Sequence, residues 1–294
     1  MGISSISKLR SYFDKLDVNA SLFIALEKDP AWWRKLREDG DIYINVRKDN
    51  YINVYYRGAS IMKLSYDNGK FKAGIHNNYL GVDKEVASEL GLHYGNEDVS
   101  PERIVSMLET IKYRVRQNKK NKGLPEAEIG DEEKVSEKFV QSDAYKNGSY
   151  LDTEFAITLD DEPTIRIDLV KVDDCGKIQF VELKRIQDQR LVNGEILTQM
   201  RNYKSFLEKV DVKEIVDYYN KVLDIMRKIK ILPDKVLCDK ISGVNDYVEL
   251  MVTNYKKKDK RQGRLDRLNN IRRSFEENEI HSNIDSVISD YKKL

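Results

Sequence analysis

Residues 166–185 read RIDLVKVDDCGKIQFVELKR, two short apolar runs joined at Asp173-Asp174-Cys175-Gly176. Length and composition make each run a strand bounded by a turn. Yet each carries ionisable groups inside it: Asp168 in IRIDLV, and Glu182 with Lys184 in IQFVELK. Charged side chains are seldom buried unless they are paired or hold a metal. Any fold of this chain must therefore give these groups partners. Residues i and i+2 of a strand face the same way, so Glu182 and Lys184 share a face. If the runs pair as a hairpin around 173–176, Asp168 and Glu182 become neighbours. Two close carboxylates raise each other's pKa, and a divalent cation relieves that repulsion. Mg²⁺ takes oxygen ligands, often one or two carboxylates plus waters and substrate phosphate. The backbone carbonyl of Leu183 is the expected third ligand. Lys184 stays protonated beside carboxylates and would do electrostatic work.

The surrounding elements predict two domains, 1–125 and 126–294. Residues 1–38 read as helices, with helical apolar spacing in ASLFIALEKDPAWWRKLRE. From Asp41 the period becomes two, cut by turn signals at Lys48-Asp49-Asn50, Arg57-Gly58 and Asp67-Asn68-Gly69. That pattern predicts an antiparallel meander of about four strands. A helix follows, with Ser100 as N-cap and Pro101 at its first position. Composition then swings from basic (KYRVRQNKKNKG) to acidic (LPEAEIGDEEK), which marks the expected boundary near 121–130. The second half reads as a helix, three strands (150–161, 164–174, 177–186), helices at 190–209 and 212–230, strands in DKVLCDKI and DYVELMVTNY, and a last helix near 264–277. The order α-β-β-β-α-β predicts an α/β (α+β) domain with a mixed sheet flanked by helices.

Composition excludes more than it selects. Charged residues make up 34 %, but the net charge is only +1, so any nucleic-acid surface must be local. No run of about 18 apolar residues predicts a membrane span, and MGISSISKLRSYFDKL has no long apolar region of a secretory leader. Cys175 and Cys238 form no CxxC, which fits a cytoplasmic protein without a cysteine zinc site. His76, His93 and His281 stand alone, and no Walker A loop, Rossmann glycines or G-x-S-x-G elbow occurs. Basic runs at 112–122 and 256–264 suit either nucleic-acid backbone or solvated loops. Trp32, Trp33, Tyr51, Tyr55 and Tyr56 read as core and strand residues before base-stacking ones.

The pattern RID…VELK resembles the PD-(D/E)XK nuclease superfamily, with Ile167 where the signature has proline. Thirteen residues separate Asp168 from Glu182, within the family's range. Gln199 and Tyr203, in TQMRNY, form Q-x-x-x-Y on the following helix, similar to RecB-type nucleases; at i and i+4 they share one helix face. Upstream, EKFVQ offers Glu137 where such proteins place a first-helix glutamate, with Glu133 one turn earlier and Glu154 on the first strand as further carboxylates. The resemblance spans about 130–255 and leaves the N-terminal residues uncovered. It implies a restriction-endonuclease-like fold and Mg²⁺- or Mn²⁺-dependent hydrolysis of phosphodiester bonds, in DNA first. By that likeness Asp168 and Glu182, with Leu183 and Glu137, hold the metal. Lys184 supports the attacking water, and Gln199 and Tyr203 shape the site or grip the backbone, with Arg166 and Arg185 flanking it. No motor motif is present, so the expectation is action alone, as a homodimer, or with a separate motor or targeting subunit. The alternatives are an RNase, or a nuclease-like module that binds nucleic acid or protein without cutting it.

Overall fold

The computed structural model describes residues 13, 15–56, 59–74, 100–121, 150–158, 164–186, 188–191, 194–253 and 262–292. It is an α+β chain with two sheets and divides into two compact units. One comprises Tyr12–Gly148 together with Tyr218–Lys235; the other is built chiefly from Ser149–Asp217 and Val236–Leu294. The division therefore differs from a single cut near 125: one later segment returns to the first unit.

The first unit opens with α1 (Ser21–Glu27) and α2 (Ala31–Arg37). The apolar spacing expected here is present, but the helix breaks at Asp29-Pro30. A residue before proline is pushed out of the α region, and Asp29 takes φ 55°. The meander follows as β1 (Ile42–Arg47), β2 (Tyr51–Tyr56), β3 (Ala59–Asp67) and β4 (Lys70–Gly74), all antiparallel in that order. Asn68 and Gly69 both have positive φ, as a tight two-residue hairpin turn demands. The predicted cap is present: Ser100 Oγ accepts from Arg103 N at 3.4 Å ahead of α3 (Pro101–Ser106), and α4 (Leu108–Asn121) continues after a break at Met107.

Two sequence features here turn inward. Trp33, Tyr55 and Tyr56 are buried, so they do not serve as stacking platforms. Lys112, at the head of a basic run, is 3 % exposed and ion-paired with Asp39, Asp41 and Glu109. Burial opposes its charge, but hydrogen bonds to Asp39 and Asp41 outweigh that and raise its pKa.

The second unit is a five-stranded mixed sheet. It contains β5 (Tyr150–Ile157), β6 (Ile165–Val172) and β7 (Lys177–Arg185), each antiparallel to the next. Helices α5 (Glu195–Lys209) and α6 (Val212–Lys228) follow, and α6 begins in this unit and ends in the other. The chain then adds β8 (Gly243–Val244) and β9 (Glu249–Thr253) in parallel to β7, before α7 (Gln262–Glu277) and α8 (Ile284–Lys292). The crossover between β7 and β9 is what a parallel pair requires. DKVLCDKI is not a strand. Val236 and Ile241 are buried, but Asp239 and Lys240 are both exposed, so burial does not alternate as a strand requires; just beyond it, Ser242 N donates to Gly176 O at 2.9 Å. Helix α8 was not anticipated. Among the described residues no helix is long and apolar enough to cross a membrane.

Strand β7 has neighbours on both edges, and both of its faces are covered. Ile178, Phe180 and Val181 are fully buried. Phe180 packs against Phe155 of β5 (ring centroids 5.1 Å) and Phe206 of α5 (6.1 Å). These rings clamp α5 onto the face that carries Phe180, Glu182 and Lys184.

Candidate active site

The β6–β7 hairpin forms as expected. Gly176 supplies the left-handed residue (φ 73°) that closes the turn, and Asp173 Oδ1 accepts from Cys175 N and Lys177 N. The register runs Val172↔Ile178 to Leu169↔Val181. Asp168 follows Leu169 on β6 and lies close enough to Glu182 to feel its charge. The backbone ladder stops there, and a side chain takes over: Leu183 N donates to Asp168 Oδ2 at 2.8 Å. The pairing of β5 with β6 runs through Thr153↔Leu169 and Phe155↔Ile167. The side chains of Glu154 and Arg185 lie outside the described set, as do Glu133 and Glu137.

Glu182 and Lys184 are 2 % and 1 % exposed. The Lys184 ammonium donates to Glu182 Oε1 and, at 3.2 Å, to the Leu183 carbonyl oxygen. The other Glu182 partners come from α5. Gln199, Tyr203 and Phe206 lie at i, i+4 and i+7, one stripe of that helix. Gln199 Nε2 donates to Glu182 Oε1 and to the Tyr203 hydroxyl, both at 2.7 Å. Tyr203 in turn donates toward Glu182 Oε2 at 2.5 Å, with the Arg166 carbonyl oxygen a second acceptor at 2.8 Å. Gln199 and Tyr203 thus orient the glutamate.

Burial pushes the Asp168 carboxyl up to about 6, helped by the nearby Glu182 charge; the Leu183 N–H, Lys184 and Arg190 pull the other way. Burial likewise raises the Tyr203 hydroxyl, and the Glu182 charge adds to it, so the phenol keeps its proton.

Two residues absent from the sequence reading belong beside this cluster. Asp188 precedes, and Arg190 lies within, the 3₁₀ turn Gln189–Leu191 between β7 and α5. Arg190 donates to Asp188 from Nε (3.0 Å) and Nη2 (2.8 Å). Burial opposes the Asp188 charge, but Arg190 outweighs it and, with Lys184, holds that carboxyl low.

The donor set fits a hard divalent cation. Asp168 commits one oxygen to Leu183 N and keeps another; Glu182 and the Leu183 carbonyl already attract a cationic group, the Lys184 ammonium. Gln199 Oε1 is buried with no hydrogen-bond partner among the described residues, an acceptor that a cation's water would satisfy. No cluster of three His, Cys, Asp or Glu residues able to hold a metal occurs among the described residues. Waters would supply the remaining ligands, as Mg²⁺ usually keeps several.

No family model matches the sequence, and no characterised protein or solved structure matches it.

Proposed function

We propose that this protein hydrolyses phosphodiester bonds of DNA with Mg²⁺ or Mn²⁺. The observation that carries the reading is the cluster at the end of β7: the buried Glu182 carboxylate paired with Lys184, with Asp168 accepting from Leu183 N at 2.8 Å beside them. Asp168, Glu182 and the Leu183 carbonyl would hold the metal. When bound, the metal lowers the pKa of water and neutralises charge building on the phosphorus centre. Lys184 stabilises that developing charge as a preorganised cation. Gln199 and Tyr203 keep Glu182 in one orientation, since its two oxygens are each fixed by a donor from α5. DNA is placed ahead of RNA on the family resemblance alone.

A second reading has one observation in its favour. Lys184 already satisfies Glu182 and the Leu183 carbonyl, so the site is internally neutralised, as a non-cutting binding module could be.

Incubation with single- and double-stranded DNA and RNA, plus Mg²⁺ or Mn²⁺, separates the readings. Metal-dependent cutting lost in Asp168→Ala and Lys184→Ala supports the enzyme. No cutting, with no Mg²⁺ bound by calorimetry, removes the catalytic assignment and leaves the binding module.

A further inference from the structure

Lys184 holds two of the three groups assigned to the metal. Its ammonium donates to Glu182 Oε1 and to the Leu183 carbonyl oxygen. An ammonium has donors only, and a hard cation takes oxygen ligands, so the two need the same electron pairs. Glu182 has little capacity to spare. Gln199 Nε2 shares Oε1 with Lys184, and the Tyr203 hydroxyl donates to Oε2. Gln199 and Tyr203 are neutral and ride on α5, which the contact of Phe206 with Phe180 holds against β7. Lys184 is the charged donor of the three, and its ammonium sits on a flexible four-carbon stem. It is also the one that a second cation repels. Glu182 and Lys184 are 2 % and 1 % exposed, so little water screens that repulsion.

We propose that Lys184 is a built-in counter-ion that yields Glu182 and the Leu183 carbonyl to a divalent cation, and only then is free to stabilise charge on the substrate phosphate. A buried carboxylate without a cation is costly, so Lys184 keeps the site neutral before loading. The catalytic ammonium is released only in molecules that carry the metal. Internal neutralisation is then the resting condition of a site built to load a cation. The exchange deepens the proposed activity and rests on it for the metal's task; the competition for Glu182 holds whatever follows.

The test reads metal binding and lysine reactivity, with no nucleic acid present. Mn²⁺ is titrated into wild type and Lys184→Met by calorimetry, after circular dichroism shows the variant folded. Removing the competitor should tighten Mn²⁺ binding about tenfold, the worth of one charged hydrogen bond that no longer has to be broken. Lys213→Met, at an exposed lysine on α6, controls for the loss of one positive charge and shows a smaller change. A second measurement needs no variant. Wild-type protein is treated briefly with an amine-acylating ester, with and without saturating Mn²⁺, and modification of Lys184 is read by mass spectrometry. The Lys184 amine should react faster once Mn²⁺ is bound, whereas Lys112, also buried, should not. Unchanged or weaker Mn²⁺ binding by Lys184→Met overturns the exchange, as does unchanged Lys184 reactivity in protein that binds Mn²⁺; the metal site itself survives either result. Binding by Lys184→Met alone supports the competition and removes the nuclease reading. Binding by neither protein removes both.

Discussion

Replacing Asp168 by Asn should stabilise the metal-free protein at neutral pH while abolishing the proposed phosphodiester cleavage. The Asp168 carboxyl stands at about 6 because it is buried and faces Glu182, against an ordinary value of 3.8. The native state thus binds this proton more tightly than the unfolded chain does. For a carboxylate raised in this way, the favourable contribution is complete below the unfolded value, near 4, and is lost as pH rises through about 6. The gap corresponds to about 3 kcal/mol, at about 1.4 kcal/mol per pH unit. Asn is nearly isosteric and keeps an oxygen to accept the Leu183 N–H, but carries no charge to lose. Thermal unfolding of both proteins in EDTA, from pH 4 to pH 8, measures the difference. The Asp168→Asn melting temperature should gain on wild type as pH rises through 6, by several degrees at about 2–4 °C per kcal/mol. The gain should be smallest at pH 4, whatever constant offset the amide introduces. Added Mg²⁺ should then raise the wild-type transition at pH 8, by linkage to a ligand that binds only the folded state, and leave the variant unmoved. Two melting curves that stay parallel across the whole pH range would refute the claim that Asp168 is a buried, destabilising charge.

Tyr203→Phe removes a donor to Glu182 Oε2 and a contact with the Arg166 carbonyl; cleavage should fall at least tenfold, and urea midpoints should report a loss of about 1–3 kcal/mol. Lys112→Met leaves Asp39 and Asp41 facing each other without their cation, and urea titration should show a cost of about 1–3 kcal/mol, since both carboxylates keep some access to water. Gly176→Ala forces a β-carbon into a left-handed position (φ 73°), 3.4 Å from Cys238 Cβ. A loss of about 1–2 kcal/mol by thermal melts is expected, with the proposed cleavage retained, because the turn is six residues from Glu182. Activity falling in parallel with Asp168→Asn would show that the turn couples to the site.

How much of this was readable beforehand depends on whether a feature announces its own partner. The meander was legible because its turn residues fix strand ends locally, and Asp67-Asn68-Gly69 needs no distant contact to mean a hairpin. Asp168, Glu182 and Lys184 were legible because a strand has period two, so a charge in an apolar run is an anomaly visible in the sequence. Gln199 and Tyr203 stood out through their resemblance to the RecB-type Q-x-x-x-Y motif, helical spacing put them on one face, and the stripe they share with Phe206 explains why both meet Glu182 rather than solvent. Asp188 and Arg190 had no such signal: acids and bases two apart are commonplace in a chain with 34 % charged residues, and only the 3₁₀ turn folds one onto the other. Lys112 failed for the related reason that a basic run looks solvated until Asp39 and Asp41, some seventy residues earlier, are brought to it. The stripe on α6 declares that Tyr219, Val222 and Leu223 are buried, but a stripe does not name what covers it, so the passage of this helix from one unit into the other could not be read from its period. Ile284, Val287, Ile288 and Tyr291 of α8 are different. Their spacing is as helical as that of any segment here, and the signal was available in the sequence. Local chemistry thus identifies the groups that need partners, and topology decides which partners they receive. At this site the two agree on Glu182, whose side chain receives Lys184 from its own strand and Gln199 and Tyr203 from α5.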